Sequence, residues 1–124
     1  FLFLRGYAES LSDVLYRAGD LFLMPSSFEP CGISQMLSMR AGQPCVVHAV
    51  GGLRDTVREG VTGFRFSGSS PRSQARQFVA AVAIALRVKE DEPSRWRDIC
   101  RAASEQRFTW RDSAQQYVEK LYAF

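Results

Sequence analysis

The sequence contains little of what a metal site or a disulfide framework needs. It has a single histidine, His48, and three cysteines, which are Cys31, Cys45 and Cys100. Three is an odd number, and no two of these cysteines have the CxxC spacing. Neither a zinc site nor a set of paired disulfides is therefore predicted. Unpaired cysteines are typical of a reducing compartment, so we expect a cytoplasmic protein.

Long apolar runs are also absent from the 124 residues. No segment approaches the roughly 20 apolar residues of a membrane-spanning helix. Residues 1–4 are apolar, but they are too few for a signal peptide and lack its basic flank. Hydrophobic residues make up 46% and charged residues 23%, a balance that predicts one folded domain without a membrane partner.

The excess of positive charge is small. Sixteen basic residues face thirteen acidic ones, for a net charge of +3, and only Lys89 and Lys120 are lysines. The arginines are dispersed from Arg5 to Arg111 and form no basic block. A nucleic-acid-binding protein usually carries a clustered basic stripe, so we expect no nucleic-acid partner. A small anionic ligand remains compatible with this charge.

Short apolar segments alternate with helical patterns in the first half of the chain. Four strands are predicted, at residues 1–5, 21–24, 44–48 and 63–66. Three helices are predicted between them, beginning at a Ser10–Asp13 capping box, near Ile33 and at Asp55. This βαβαβαβ order predicts a parallel sheet flanked by helices, the Rossmann-like α/β class. Three further helices are predicted to begin at Pro71, Pro93 and Thr109, with Val79 and Leu86 on the buried stripe of the first.

The segment between the second predicted strand and its helix carries the candidate chemistry. Ligands of open parallel sheets bind beyond the carboxyl ends of the strands. The free N–H groups and the dipole of a helix starting near Ile33 favour an anion there. Gly32 allows a close approach to the backbone, and Ser34 adds a hydroxyl. Glu29 lies about one helical turn away, at a distance that suits sugar hydroxyls.

The full string of this segment resembles the signature of bacterial glycogen synthases and plant starch synthases. The string covers residues 20–35 and contains Phe-Glu-Pro-Cys-Gly at residues 28–32. Arg-Gly-Tyr precedes it at residues 5–7, and further blocks follow in the family's order at residues 39–42, 51–57 and 62–64. The end of the chain, with Phe-Thr-Trp at residues 108–110, is also similar.

This resemblance implies a retaining glucosyltransferase of the GT-B fold. Such an enzyme moves glucose from ADP-glucose or UDP-glucose to the 4-hydroxyl end of an α-1,4-glucan acceptor, and it needs neither a metal nor another cofactor. Residues 1–124 would form part of the C-terminal, donor-binding domain, without the N-terminal domain. A plant member would be located in the plastid.

The resemblance also implies roles for six residues. Glu29 would be the catalytic acidic residue, which hydrogen-bonds the glucose of the donor. The other five would bind the donor: Cys31 and Gly32 hold the sugar through backbone N–H groups, Ile33 and Ser34 hold the pyrophosphate at the helix start, and Tyr7 stacks on the base.

Two departures from the wider pattern bear on activity. Related transferases often have a second glutamate eight residues after the first, where this chain has Leu37, as glycogen synthases also tend to. The upstream Lys-x-Gly-Gly loop and the basic residues that neutralise the pyrophosphate do not occur in these residues. Stabilisation of developing charge is usually the largest catalytic term. We therefore expect this polypeptide alone to bind the donor weakly and to turn over nothing.

Three alternatives remain at this point. The first is another GT-B enzyme, such as a nucleotide-sugar 2-epimerase, and the second is a non-catalytic module that binds nucleotide sugars. The third is a Rossmann-like domain with an empty crevice. Among nearby residues, we expect His48 to be packed or solvated rather than catalytic, Gln35 to hydrogen-bond within its loop, and residues 51–52 to form a tight turn.

Overall fold

The computed structural model of the chain describes residues 2–6 and 8–122. Within them, three strands are present: β1 (Phe22–Met24), β2 (Cys45–His48) and β3 (Gly63–Phe66). The helices are α1 (Glu9–Ala18), α2 (Ser34–Arg40), α3 (Gly51–Thr56), α4 (Pro71–Asp91), α5 (Pro93–Ser104) and α6 (Trp110–Tyr117), and α6 continues into a π-helical turn over Val118–Tyr122.

The three strands form one parallel sheet in the order β1-β2-β3. Leu23 is opposite Val46, and Val46 is opposite Phe64. All four residues of the central strand β2 are buried. Burial on both faces explains why its apolar run is continuous rather than alternating. The prediction of a parallel α/β sheet is confirmed.

The core lies on both faces of this sheet because neighbouring side chains of a strand point to opposite sides. Val46 of β2 contributes to one face, and Cys45 and Val47 contribute to the other. The first cluster consists of Val46, Phe64, Phe66, Ala81, Ala85, Val88 and Ile99. The second consists of Met39, Cys45, Val47, Leu53, Val57 and Ala103. The central strand therefore fixes the position of both helical layers.

The strand predicted at residues 1–5 is wrong for its described part. Residues 2–5 have no strand structure, and Leu2 and Phe3 are strongly exposed. An extended segment joins a sheet only where a neighbouring strand accepts its hydrogen bonds, and no described strand lies beside this one. The sheet of the described residues accordingly has three strands instead of four.

The predicted start of α1 is also wrong. The helix begins at Glu9 after Ala8, which provides no side-chain cap, so Ser10 lies inside the helix. Asp13 makes an ion pair with Arg17 at 3.1 Å, one turn further along, instead of closing a capping box. An (i, i+4) pair of opposite charges stabilises a helix weakly, and here it replaces the predicted cap.

The third helix is displaced from its predicted place. It covers Gly51–Thr56, so Asp55 lies in its last turn rather than its first. The tight turn predicted at residues 51–52 is instead the start of this helix. Gly51 and Gly52 pack closely against the backbone of Glu29 and Cys31, in the loop before α2. This tertiary contact decides where the helix begins.

The buried face of α4 differs in part from the predicted stripe. Val79 and Leu86 are exposed, whereas Ala81, Ala85 and Val88 are buried against the sheet. Alanines allow the helix to approach the sheet closely, which larger side chains at the same positions would prevent. Phe78 and Trp96 pack at the margin of this core, as predicted.

The predicted starts of the last three helices are confirmed. Ser70 caps α4 by accepting a hydrogen bond from the Ser73 N–H, and α5 begins at Pro93. Thr109 caps α6 through the N–H of Asp112. Within residues 2–6 and 8–122, no helix combines the length and apolarity that crossing a bilayer requires.

Stability is expected to fall at alkaline pH because of Cys45. Burial raises the pKa of its thiol to about 12, whereas an unfolded cysteine titrates near 8.5. Between these values the unfolded chain binds fewer protons than the folded one, so the free energy of unfolding decreases as pH rises. The slope is at most about 1.4 kcal/mol per pH unit.

This expectation can be measured by urea unfolding at pH 8 and at pH 10.5. Other groups also titrate in this range, so the comparison is with a Cys45→Ala variant. The wild-type chain should lose about 2 kcal/mol more than the variant over this interval. Equal pH dependence of the two proteins would contradict the expectation.

Candidate functional site

The candidate site is the loop of residues 26–33, which connects β1 to α2. Because all three strands are parallel, this loop lies at the edge of the sheet where the strands have their carboxyl ends. We call this segment the 26–33 loop. Its position at the carboxyl edge is the one that the sequence predicts.

Carbonyl groups in the first part of the loop accept hydrogen bonds from the body of the protein. His48 Nδ1 lies 2.9 Å from the Ser26 carbonyl oxygen, and since a carbonyl only accepts, Nδ1 carries the hydrogen. The N–H of Gly52 lies 3.2 Å from the carbonyl oxygens of both Glu29 and Pro30. Of the two predicted states of His48, packed or solvated, the structure shows the packed one: the side chain is buried and stacks on Phe66.

Gln35 holds the second part of the loop. Its side chain is fully buried, and Nε2 lies 3.2 Å from the Cys31 carbonyl oxygen and 2.9 Å from that of Gly32. Nε2 also lies 3.2 Å from the hydroxyl of Thr56 on α3. The prediction that Gln35 hydrogen-bonds within its loop is confirmed, and the bond to Thr56 adds a link to another helix.

The other end of the Gln35 carboxamide has no partner in the described structure. Its Oε1 atom is buried and accepts no hydrogen bond from residues 2–6 or 8–122. A buried acceptor without a partner costs about 1–3 kcal/mol. A rotation of the carboxamide by 180° would not give Oε1 a donor, because the oxygen would then face the Cys31 and Gly32 carbonyls, which can only accept hydrogen bonds. The orientation of the carboxamide is therefore set by its donor end.

The backbone N–H groups of the same segment have no partner among residues 2–6 and 8–122. In the described part of the chain, no acceptor is found for any N–H of residues 26–36. The carbonyls of residues 26 and 29–32 thus accept hydrogen bonds from the protein, whereas the N–H groups of residues 31–34, which are exposed or half-buried, have no acceptor among the described residues. A run of free N–H groups leading into a helix start is a surface that favours an anion.

Three glycines allow this close packing. A Cβ atom on Gly51 would overlap the Glu29 carbonyl oxygen, and one on Gly52 would overlap that of Cys31. Gly32 has a φ of +76°, and a Cβ there would meet Oε1 of Gln35. The sequence predicts that Gly32 gives a ligand access to the backbone. The structure shows a further reason for a glycine, which is the space that the Gln35 side chain occupies.

The loop brings five of the six predicted site residues together. Glu29 is half-buried, and its carboxylate forms no ion pair or hydrogen bond with another described residue. Cys31 and Ile33 are exposed, and Ser34 is the first residue of α2. Tyr7, the predicted base-stacking residue, lies outside the described residues.

The described residues also limit what else this region can hold. Across residues 2–6 and 8–122, no group of three or more His, Cys, Asp or Glu side chains is arranged to bind a metal ion. Free thiols are present at Cys31, Cys45 and Cys100. Burial raises the pKa of Cys45 most strongly, and burial also raises the pKa of Cys100. Both thiols therefore remain protonated at neutral pH.

Sequence reasoning identified Gln35 among the residues that hold the loop by hydrogen bonds, but not Thr56 or Gly52. Gln35 follows Gly32 and Cys31 by three and four residues, a spacing that places side chain and backbone on one side of a helix start. That spacing is a signal, although a weak one. Thr56 and Gly52 come from a different helix, so only the fold brings them to the loop.

Comparison with known proteins identifies the family. Residues 3–102 match the family of glycosyl transferases group 1. A glycogen synthase of Rhodopirellula baltica is 36% identical over 127 aligned positions, and one of Streptococcus pneumoniae is 44% identical over 119. These alignments cover 95% and 91% of this chain but only 24% of each relative. The chain thus spans about a quarter of the length of these relatives.

A solved structure supports the same relationship. The catalytic domain of starch synthase IV from Arabidopsis thaliana, bound to ADP and acarbose, superimposes with a TM-score of 0.81 at 33% identity. The match covers 94% of this chain and 24% of that one. The predicted fold, a Rossmann-like parallel sheet within a GT-B glycosyltransferase, is confirmed. So is the resemblance to glycogen and starch synthases, and the chain belongs to the glycosyl transferases group 1 family.

Proposed function

We propose that this chain is the donor-binding part of a glycogen synthase or starch synthase type of enzyme. The enzyme transfers glucose from ADP-glucose, or from UDP-glucose, to the 4-hydroxyl end of an α-1,4-glucan with retention. The observation that carries this proposal is the 26–33 loop, whose carbonyls bond to the protein while its N–H groups find no acceptor in the part of the chain that the structure describes. The solved starch synthase that matches this chain contains ADP, which supports a nucleotide ligand.

Each site residue has a role in this proposal. The diphosphate binds the free N–H groups of Ile33 and Ser34 and the Ser34 hydroxyl, which has no partner among the described residues. The glucose binds the N–H groups of Cys31 and Gly32, and the Glu29 carboxylate accepts hydrogen bonds from its hydroxyls. Tyr7 stacks on the base.

The remaining parts of the proposal concern the whole protein. The chain spans only 24% of the length of the glycogen synthases that it matches. The proposed whole enzyme therefore also has an N-terminal domain, and it binds a glucan acceptor. Residues 1–124 then form part of the C-terminal domain. We propose no metal and no other cofactor, and a cytoplasmic location without nucleic-acid or membrane partners.

The chain alone is expected to bind donor weakly and to release no ADP from ADP-glucose. A departing diphosphate needs cationic stabilisation, and residues 26–36 contain neither lysine nor arginine. A colorimetric assay of ADP release by the purified chain, with a glucan present, measures this. Release above that of a Glu29→Ala control would contradict the expectation.

A Glu29→Gln variant is expected to discriminate between ADP and ADP-glucose. The carboxylate is assigned to the glucose, and a hydrogen bond to a charged group contributes about 1.5–3 kcal/mol. The affinity for ADP-glucose should therefore fall by at least about tenfold, whereas the affinity for ADP should change less than about twofold. Titration of the ¹⁵N-labelled chain with each ligand gives both affinities.

The matched control is Glu105→Gln, which changes an exposed glutamate after α5. This variant should bind both ligands like the wild-type chain. An equal loss of both affinities in Glu29→Gln would contradict the assignment of Glu29 to the sugar. Unchanged affinities would contradict it as well.

A further inference from the structure

We propose that Gln35 and Thr56 are positioning residues that set the orientation of the donor-binding amides. The expected effect on ADP binding rests on the proposed function. The hydrogen bonds that orient the loop are a property of the protein without a ligand. Neither side chain is assigned to the ligand: Gln35 is fully buried and Thr56 is half-buried. Both act through the backbone of the 26–33 loop.

The hydrogen bonds form a closed circuit between the loop and α3. Gln35 Nε2 donates to the carbonyls of Cys31 and Gly32 and shares its hydrogens with the Thr56 hydroxyl. Thr56 Oγ1 in turn donates to the carbonyl of Gly52 at 2.6 Å. The N–H of Gly52 returns to the loop at the carbonyls of residues 29 and 30. Four consecutive loop carbonyls are thereby fixed by one circuit.

This circuit determines which way the peptide groups face. A peptide whose carbonyl is held inward presents the N–H of the following residue on the opposite side. Holding the carbonyls of residues 31 and 32 therefore directs the N–H groups of Gly32 and Ile33 away from Gln35. The proposed function assigns the first of these N–H groups to the hexose, together with that of Cys31, and the second to the diphosphate, together with that of Ser34.

The Oε1 atom of Gln35, which has no partner among the described residues, helps to distinguish a positioning role from a role in fold stability. If Gln35 served only to stabilise the fold, an acceptor buried without a partner would be a poor choice of side chain. Methionine has a similar length and no polar groups, so Gln35→Met removes the unsatisfied atom together with the donors. The carbonyls of Cys31 and Gly32, near the surface, can then turn toward water.

The test compares Gln35→Met with Gln106→Met in the ¹⁵N,¹³C-labelled chain. Gln106 also donates a hydrogen bond to a backbone carbonyl, that of Ala102. It follows α5 and is not part of the 26–33 loop. For Gln35→Met we expect an unfolding midpoint within a few degrees of wild type. We also expect shifted carbonyl resonances at residues 31 and 32, and an ADP affinity reduced at least tenfold. Gln106→Met should leave the ADP affinity unchanged.

Thr56 provides an independent arm. Thr56→Val removes the hydroxyl at nearly constant shape, whereas Thr56→Ser keeps it. The valine variant should lower the affinity for ADP at least threefold, and the serine variant should restore most of it. A role in packing alone predicts the opposite order, because valine preserves the buried volume better than serine.

The outcomes of these measurements bear separately on Gln35, on Thr56 and on the proposed function. Unfolding of Gln35→Met, or wild-type carbonyl shifts together with wild-type affinity, would overturn the inference. Equal affinities of the two Thr56 variants would overturn the role of Thr56. If the wild-type chain binds no ADP even at millimolar concentration, the proposed function fails. The carbonyl shifts of the free protein then still decide whether Gln35 orients the loop.

Discussion

A Gly52→Ala variant is expected to lose ADP binding by at least tenfold and to be less stable by about 2 kcal/mol, a typical cost of forced overlap in a packed site. The added Cβ would overlap the backbone of Cys31, and backbone cannot move aside as a flexible side chain can. Either α3 or the 26–33 loop must shift. A shifted loop no longer presents its N–H groups together.

The sign of this stability change is informative. Gly52 lies within α3, and its φ is not in the left-handed region. Replacing a helical glycine with alanine normally stabilises a helix by about 0.5–1 kcal/mol. Any destabilisation of Gly52→Ala must therefore come from the contact with Cys31 and not from backbone conformation.

Gly42→Ala is the matched control. Gly42 has a φ of +82°, but a Cβ there would meet other atoms only at 4.0 Å, an ordinary contact. This variant should lose about 1–2 kcal/mol through backbone strain and bind ADP like the wild type. Urea unfolding and ADP titration of both variants provide the comparison. A Gly52→Ala variant that is more stable than wild type and binds ADP normally would contradict the account.

Phe64→Ala is expected to reduce stability by about 3–5 kcal/mol, the usual range for a buried phenylalanine. Phe64 lies on β3, is 1% exposed and stacks on Trp96 of α5, with ring centroids 6.5 Å apart. It therefore connects the sheet to the helical layer. A domain of this size is stable by about 5–15 kcal/mol, so the variant should lose a large part of its stability and unfold at a much lower urea concentration.

Circular dichroism with urea titration measures this loss. Val79→Ala is the control because Val79 is 66% exposed on α4, where a substitution changes stability by about 0.5 kcal/mol or less. If the two variants had the same unfolding midpoint, Phe64 would not be part of the core as the structure describes it.

The sequence was sufficient to predict the elements that depend on local patterns. The alternation of short strands with helices predicts a parallel sheet, and the continuous apolar run at residues 21–24 supports it because such a run is typical of burial on both faces. Ser70, Pro93 and Thr109 predict helix starts because caps act within one turn. The position of the 26–33 loop follows from the order of strand and helix.

The features that sequence reasoning missed depend on contacts between distant residues. Residues 2–5 have the composition of a strand, but a strand needs a neighbour, and composition does not show whether one is present. The start of α3 depends on how Gly51 and Gly52 pack against Glu29 and Cys31. The bond between Gln35 and Thr56 joins residues 21 positions apart. Tyr7 stays a prediction.

The most direct test of the central claim is an amide map of ADP binding. In ¹H–¹⁵N spectra of the labelled chain titrated with ADP, the account predicts the largest shifts at the N–H groups of residues 31–34. The amides of Gly42 and Gly60, which lie outside the loop, should not move. Shifts concentrated elsewhere, or none at residues 31–34 at millimolar ADP, would contradict the claim that these free amides bind a diphosphate.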